Sequence, residues 1–98
     1  MAVCSLTIIP IGTKTASVSK FVAETVDIIK KHNLRFTLSA NATIIEAELK
    51  KILDIIPEIR DSVYRQGANR VVINLSIDER NDKNLTINDK IKSVEEKL

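Results

Sequence analysis

Aromatic side chains are scarce in this 98-residue chain: Phe21, Phe36 and Tyr64, with no tryptophan. The core must therefore be aliphatic, and the stacking platforms that hold single-stranded nucleic acid are missing. Cys4 is the only cysteine, which excludes an intrachain disulfide and a thiolate metal cluster. His32 is the only histidine, so a histidine-rich metal site cannot be assembled, and no Ser-His-Asp pattern is evident in the sequence. With two glycines there is no Gly-rich phosphate loop, and Gly12 stands alone. Charge of one sign is lacking too: 15 Lys and Arg face 13 Asp and Glu, interspersed, for a net +2. A phosphate-binding stripe needs a stronger basic bias, so nucleic acid is not the expected partner. No apolar run is long enough to span a membrane, and the first residues lack a signal-peptide pattern. The expected location is the cytoplasm.

What is present is a succession of clear periodicities. Val3 to Ile11 is a β-branched apolar run, the pattern of a strand buried on both faces, with Pro10 near its end where the missing N–H matters least. From Ser17, Val18, Phe21, Val22, Thr25, Val26 and Ile29 follow helical spacing. Ser17 is the expected N-cap. Lys30, Lys31, His32 and Asn33 suit a helix C-terminus and a left-handed exit. Leu34, Phe36 and Leu38 alternate with polar residues as a strand, Asn41 supplies a turn, and Thr43 to Glu46 returns. Glu48 to Gln66 is helical through Pro57, where a kink is expected, and Gly67 closes it. Arg70 to Ile77 reads as a fourth strand. Asp78 to Asn84 is a charged loop, and Thr86 caps a short terminal helix.

The order β-α-β-β-α-β predicts a single α+β domain over residues 1–98, with a ferredoxin-like four-stranded antiparallel sheet and two helices on one face. The second sheet face then presents Val3, Ser5, Thr7 and Ile9 beside Val72, Asn74 and Ser76. This mixture of small polar and apolar groups suits a sheet-to-sheet contact, so self-association is expected.

Candidate chemistry is sparse. The junction after the first strand gathers Thr13, Thr15, Ser17 and Ser19, hydroxyls near a helix start that can hold a small molecule without reacting with it. Glu46 reads either as a first-turn residue favoured by the helix dipole or as a carboxylate available to a cation or an aminopyrimidine. Asp78, Arg80 and Asp82 alternate, but without the glycine and closing glutamate of a calcium loop. His32 reads as a helix-capping residue and Cys4 as a small packed group.

Five blocks in order and spacing carry a resemblance: Pro10-Ile11-Gly12-Thr13, Ser17-Val18-Ser19, Thr43-Ile44-Ile45-Glu46, Gly67-Ala68-Asn69-Arg70-Val71-Val72 and Asp78-Glu79-Arg80. Over nearly its whole length the chain resembles the YkoF-like thiamine-binding family. The resemblance implies non-catalytic binding of thiamine or its hydroxymethylpyrimidine part, with no cofactor. It also implies sheet-to-sheet pairing and assembly as a dimer of dimers. Carried over to matching positions, it points to Thr13, Ser17, Ser19, Thr43 and Glu46 as ligand residues. Where the family pattern has glycine after the glutamate this chain has Ala47, and Asn41-Ala42 replaces a glycine-containing small pair, so Asn41 joins the candidates as a ligand amide. The competing expectation is an oligomeric interaction module with no small-molecule ligand, and an enzyme acting through Glu46 is the least favoured reading.

Overall fold

A computed structural model describes residues 1–98. The elements are β1 (Ala2–Ile11), α1 (Ser19–Lys31), β2 (Arg35–Leu38), β3 (Thr43–Ala47), α2 (Leu49–Arg65), β4 (Arg70–Glu79) and α3 (Ile87–Glu95). The strands form one antiparallel sheet in the order β2-β3-β1-β4. This is the expected βαββαβ arrangement with a short C-terminal helix. No helix is long and apolar enough to cross a membrane.

The period of two in the strands decides which side chains meet the helices. Ala2, Cys4, Leu6, Ile45 and Ala47 share one sheet face and pack against Ile28 and Ile29 of α1 and Ile52, Ile55 and Ile59 of α2. Burying such aliphatic side chains stabilises by about 1.5–3 kcal/mol each, which makes this layer the main folding force. Burial also pushes the Cys4 thiol pKa up, so the group behaves as a packed apolar atom. Helix α2 runs unbroken through Pro57. Asn33 and Gly67 take the left-handed conformations expected at the two helix exits.

Two local expectations are corrected. The N-cap of α1 is Val18, not Ser17, and no side chain caps it. The Val18 carbonyl accepts from the N–H groups of Phe21 and Val22 at 3.0 and 3.1 Å. The Ser17 N–H is instead taken by the Thr15 hydroxyl at 3.1 Å, and the Ser17 hydroxyl meets that of Ser19 at 3.2 Å. Glu46 is not in a first helical turn. It lies inside β3, on the face away from α1 and α2, and is 6% exposed.

That second face is partly covered by the chain itself. Leu85 and Ile87 pack on Val3 and Ile44, and Thr86 caps α3 by accepting from the Asp89 N–H at 3.0 Å. Farther along the same face Ile9 and Ile11 remain 46% and 40% exposed.

One mismatch in strand length shapes the rest. β1 pairs with β4 along its whole length, from Ala2↔Glu79 to Ile11↔Arg70. Its pairing with β3 ends at Leu6↔Thr43. At about 3.3 Å per residue, Thr7 to Ile11 leave a lane of roughly 16 Å beside β1 with no strand in it.

Candidate ligand-binding slot

The vacant lane is not open surface. The β2–β3 turn closes one end, held by the Ser39 N–H donating to the Ala42 carbonyl at 2.9 Å. Helix α1 roofs it with Val22 and Thr25, together with its N-cap residue Val18. The result is a slot of about 200 Å³, lined further by Leu6, Thr7, Ile8, Leu38, Ser39, Ala40, Asn41, Ala42 and Thr43. Aliphatic walls with a few hydroxyls and one amide match the makeup of a small-molecule site. None of the lining side chains is ionisable.

Thr43 is the most informative of them. It is only 4% exposed, and its hydroxyl has no hydrogen-bond partner in the chain, whereas the neighbouring Thr25 hydroxyl donates to the Phe21 carbonyl at 3.0 Å. A hydroxyl that makes no bond within the chain is left available to whatever occupies the slot.

A family model described as Thiamine-binding protein matches residues 4–95. The chain belongs to that family. Among relatives, UPF0045 protein MJ1052 of Methanocaldococcus jannaschii is 40% identical over 94 residues, covering 96% of this chain and 92% of that protein. The crystal structure of MJ1052 superimposes with a TM-score of 0.87, covering 97% of this chain and 96% of that one. UPF0045 protein YqgV of Bacillus subtilis is 38% identical over 102 residues, covering all of this chain and 98% of its own. The fold alone is shared with TM0486 of Thermotoga maritima, assigned provisionally to thiamine biosynthesis or salvage. That match has 20% identity, a TM-score of 0.80, and coverage of 95% of this chain and 97% of that one.

In this family member the six positions singled out by resemblance fall into separate places. Asn41 and Thr43 line the slot. Thr13 and Ser17 line a different hollow of about 360 Å³, with Lys14, Lys20, Gln66 and Gly67. The Thr13 hydroxyl is spent within the loop, donating to the Thr15 carbonyl at 2.8 Å. Ser19 is exposed and lines neither cavity. Glu46 sits on the opposite sheet face, where its carboxylate accepts from the Ile87 N–H at 2.7 Å and lies 3.8 Å from the Arg35 Nε.

The sequence reading passed over Val18, Val22, Thr25, Thr7 and Ser39 as slot residues. A signal was available in the unequal apolar runs: the first strand is long and the third short, so part of the first must lack a neighbour.

Two clusters of charged groups are paired locally. A shallow dent of about 720 Å³ lies over Glu79 to Asp82. There Asp82 pairs with Arg80, the Arg80 Nε at 2.8 Å, which lowers the carboxyl pKa and raises that of the guanidinium. His32 Nε2 contacts Glu58 Oε2 at 2.7 Å, and with Lys31 at 3.2 Å it holds the Glu58 carboxyl below its ordinary value.

Proposed function

We propose that the protein binds thiamine through its hydroxymethylpyrimidine moiety, or that pyrimidine alone, in the slot beside β1, without transforming it. The observation that carries this is the Thr43 hydroxyl, which makes no hydrogen bond within the chain and lies at a slot free of ionisable groups, in a member of the thiamine-binding family. At about 200 Å³ the slot is smaller than the roughly 300–1,000 Å³ of drug-sized sites, which favours one six-membered ring over a whole vitamin. The thiazolium cation then stays outside, because no carboxylate lines the slot to balance it. Asn41 and Thr43 are the side chains available to polar groups of the ligand. General acid–base catalysis needs a titratable group within reach of the substrate, and the slot supplies none, which favours binding over turnover.

Isothermal titration with 4-amino-5-hydroxymethyl-2-methylpyrimidine and with thiamine tests the reading. Saturable heat with the pyrimidine, and ligand recovered unchanged by mass spectrometry, are expected. No heat and no thermal shift with either compound overturns it.

The same reading assigns the exposed strip around Ile9 and Ile11 to pairing between sheets of two copies, and such pairs to a dimer of dimers. A monomer mass by sedimentation at micromolar concentration contradicts this part alone. The reading also places the protein in the cytoplasm, where a lone thiol such as Cys4 stays reduced. The second reading, an assembly module without ligand, draws on Ile91, Val94 and Leu98, which stand exposed along and just beyond α3. It predicts a stable oligomer that gives no heat with either compound.

A further inference from the structure

We infer that the main chain of Ile8, its N–H and C=O side by side, is the group that reads the ligand's polar edge in the slot. In an antiparallel ladder, successive residues turn their backbone polar groups to opposite sides. The direction at Ile8 follows from two separate bonds. The Ser39 N–H donates to the Ala42 carbonyl, so in steps of two the hydrogen-bonded pairs continue as Thr37↔Ile44 and Arg35↔Glu46. Ile44 and Glu46 therefore face β2, which leaves Thr43, Ile45 and Ala47 facing β1, opposite Leu6, Cys4 and Ala2. At the other end of the sheet, the Asn69 N–H donates to the Ile11 carbonyl at 2.9 Å, so the odd residues of β1 turn toward β4.

Both routes assign the even residues to the β3 side. Beyond Leu6 these are Ile8 and Pro10, and no strand stands opposite them. Neither takes part in the backbone bonds outside helices and ladders, nor in any side-chain bond. Pro10 has no N–H to offer, which fits a position facing away from a neighbouring strand. The lane therefore contains one backbone donor, the Ile8 N–H, next to the Ile8 carbonyl, and Ile8 lines the slot.

A donor and an acceptor side by side complement an amino group beside a ring nitrogen, the edge that a 4-aminopyrimidine carries. The C=O accepts from the amino group, and the N–H donates to the ring nitrogen. The Thr43 hydroxyl, across the slot on β3, takes the remaining polar group. The site thus selects planar amino-substituted heterocycles through main-chain contacts, which explains how a chain with few polar side chains at the slot can be specific. This inference rests on the reading of the slot as the pyrimidine site.

Amide hydrogen exchange by NMR tests it on the intact protein. Without ligand, the Ile8 amide is expected to exchange at least ten-fold faster than those of Leu6 and Cys4, which lie in the β1–β3 ladder. Saturation with 4-amino-5-hydroxymethyl-2-methylpyrimidine is expected to slow Ile8 exchange ten-fold or more. The analogue lacking the 4-amino group is expected to bind about ten-fold more weakly, as is the pyrimidine to Ile8→Pro compared with Ile8→Ala. Binding that leaves Ile8 exchange unchanged, or equal affinity for the two ligands, overturns this inference and leaves the pyrimidine reading standing. A failure of the pyrimidine to bind at all overturns both. Slow exchange at Ile8 in the free protein overturns the vacant lane itself.

Discussion

The Glu46 carboxylate accepts a hydrogen bond from the backbone N–H of Ile87, 41 residues away in sequence, at 2.7 Å. It thereby serves a helix N-terminus, although of α3 rather than of α2, the helix that follows it in the chain. A carboxylate there satisfies one otherwise orphaned N–H and meets the positive end of the helix dipole. Because Glu46 is almost fully buried, removing its oxygens leaves the Ile87 N–H without a partner.

Replacing Glu46 by Leu is expected to cost about 1–3 kcal/mol of unfolding free energy, with Glu46→Gln costing less because it keeps an acceptor. Urea denaturation measures the loss. Amide exchange localises it, with Ile87 and the first turn of α3 opening before β3. Equal exchange in both variants contradicts the anchoring role.

The same pair shows why the fold was legible in the sequence and the site only partly so. Strands and helices announce themselves through spacing, since Cys4, Leu6 and Ile8 alternate and Ile52, Ile55, Ile56 and Ile59 recur within short windows. Asn33 and Gly67 mark helix ends by local backbone chemistry. Glu46 carries no local mark of its partner, because the contact with Ile87 exists only after the chain has crossed the sheet. Ser17 misled for the opposite reason: four hydroxyls compete within the seven positions from Thr13 to Ser19, and the loop's own bonds at Thr15 decide which of them is free. The slot depends on where the β1–β3 ladder stops, which is a difference between two strand lengths and not a property of any residue.

Gly12 and Gly67 both have positive φ, +86° and +103°, but their surroundings differ. A Cβ at Gly12 meets the Asn69 Nδ2 at 2.7 Å, while at Gly67 nothing lies within 4 Å. Gly67→Ala therefore incurs backbone strain alone, about 1 kcal/mol. Gly12→Ala adds displacement of the Asn69 side chain next to the last pairing of β1, for a total of about 1–3 kcal/mol. Thermal melts of the two variants are expected to rank Gly12→Ala as the less stable, and the reverse order refutes the steric account.

The raised pKa of Cys4 makes stability depend on alkaline pH. The unfolded thiol loses its proton near about 8.5, whereas burial keeps the folded thiol protonated to higher pH. Above the unfolded value the native state holds more protons than the unfolded one, so stability falls as pH rises and levels off only beyond the folded pKa. The contribution is fully present below the unfolded value. In Cys4→Ala this alkaline slope should vanish while the overall stability drops through lost packing. Denaturation profiles from pH 7 to pH 10 separate the slope from the level, and an unchanged slope rules out the thiol as its source.

Thr43→Val separates the ligand site from the core. The substitution keeps the β-branched shape that packs between β1 and β2 and removes only the hydroxyl facing the slot. Because that hydroxyl has no partner in the free chain, its loss should leave the melting temperature unchanged or raise it slightly. Affinity for the hydroxymethylpyrimidine should fall roughly two- to ten-fold, the worth of one neutral hydrogen bond. Calorimetry on the variant measures the second effect and a thermal melt the first. A fall in stability with unchanged affinity inverts both expectations: the hydroxyl then serves the fold and not the slot.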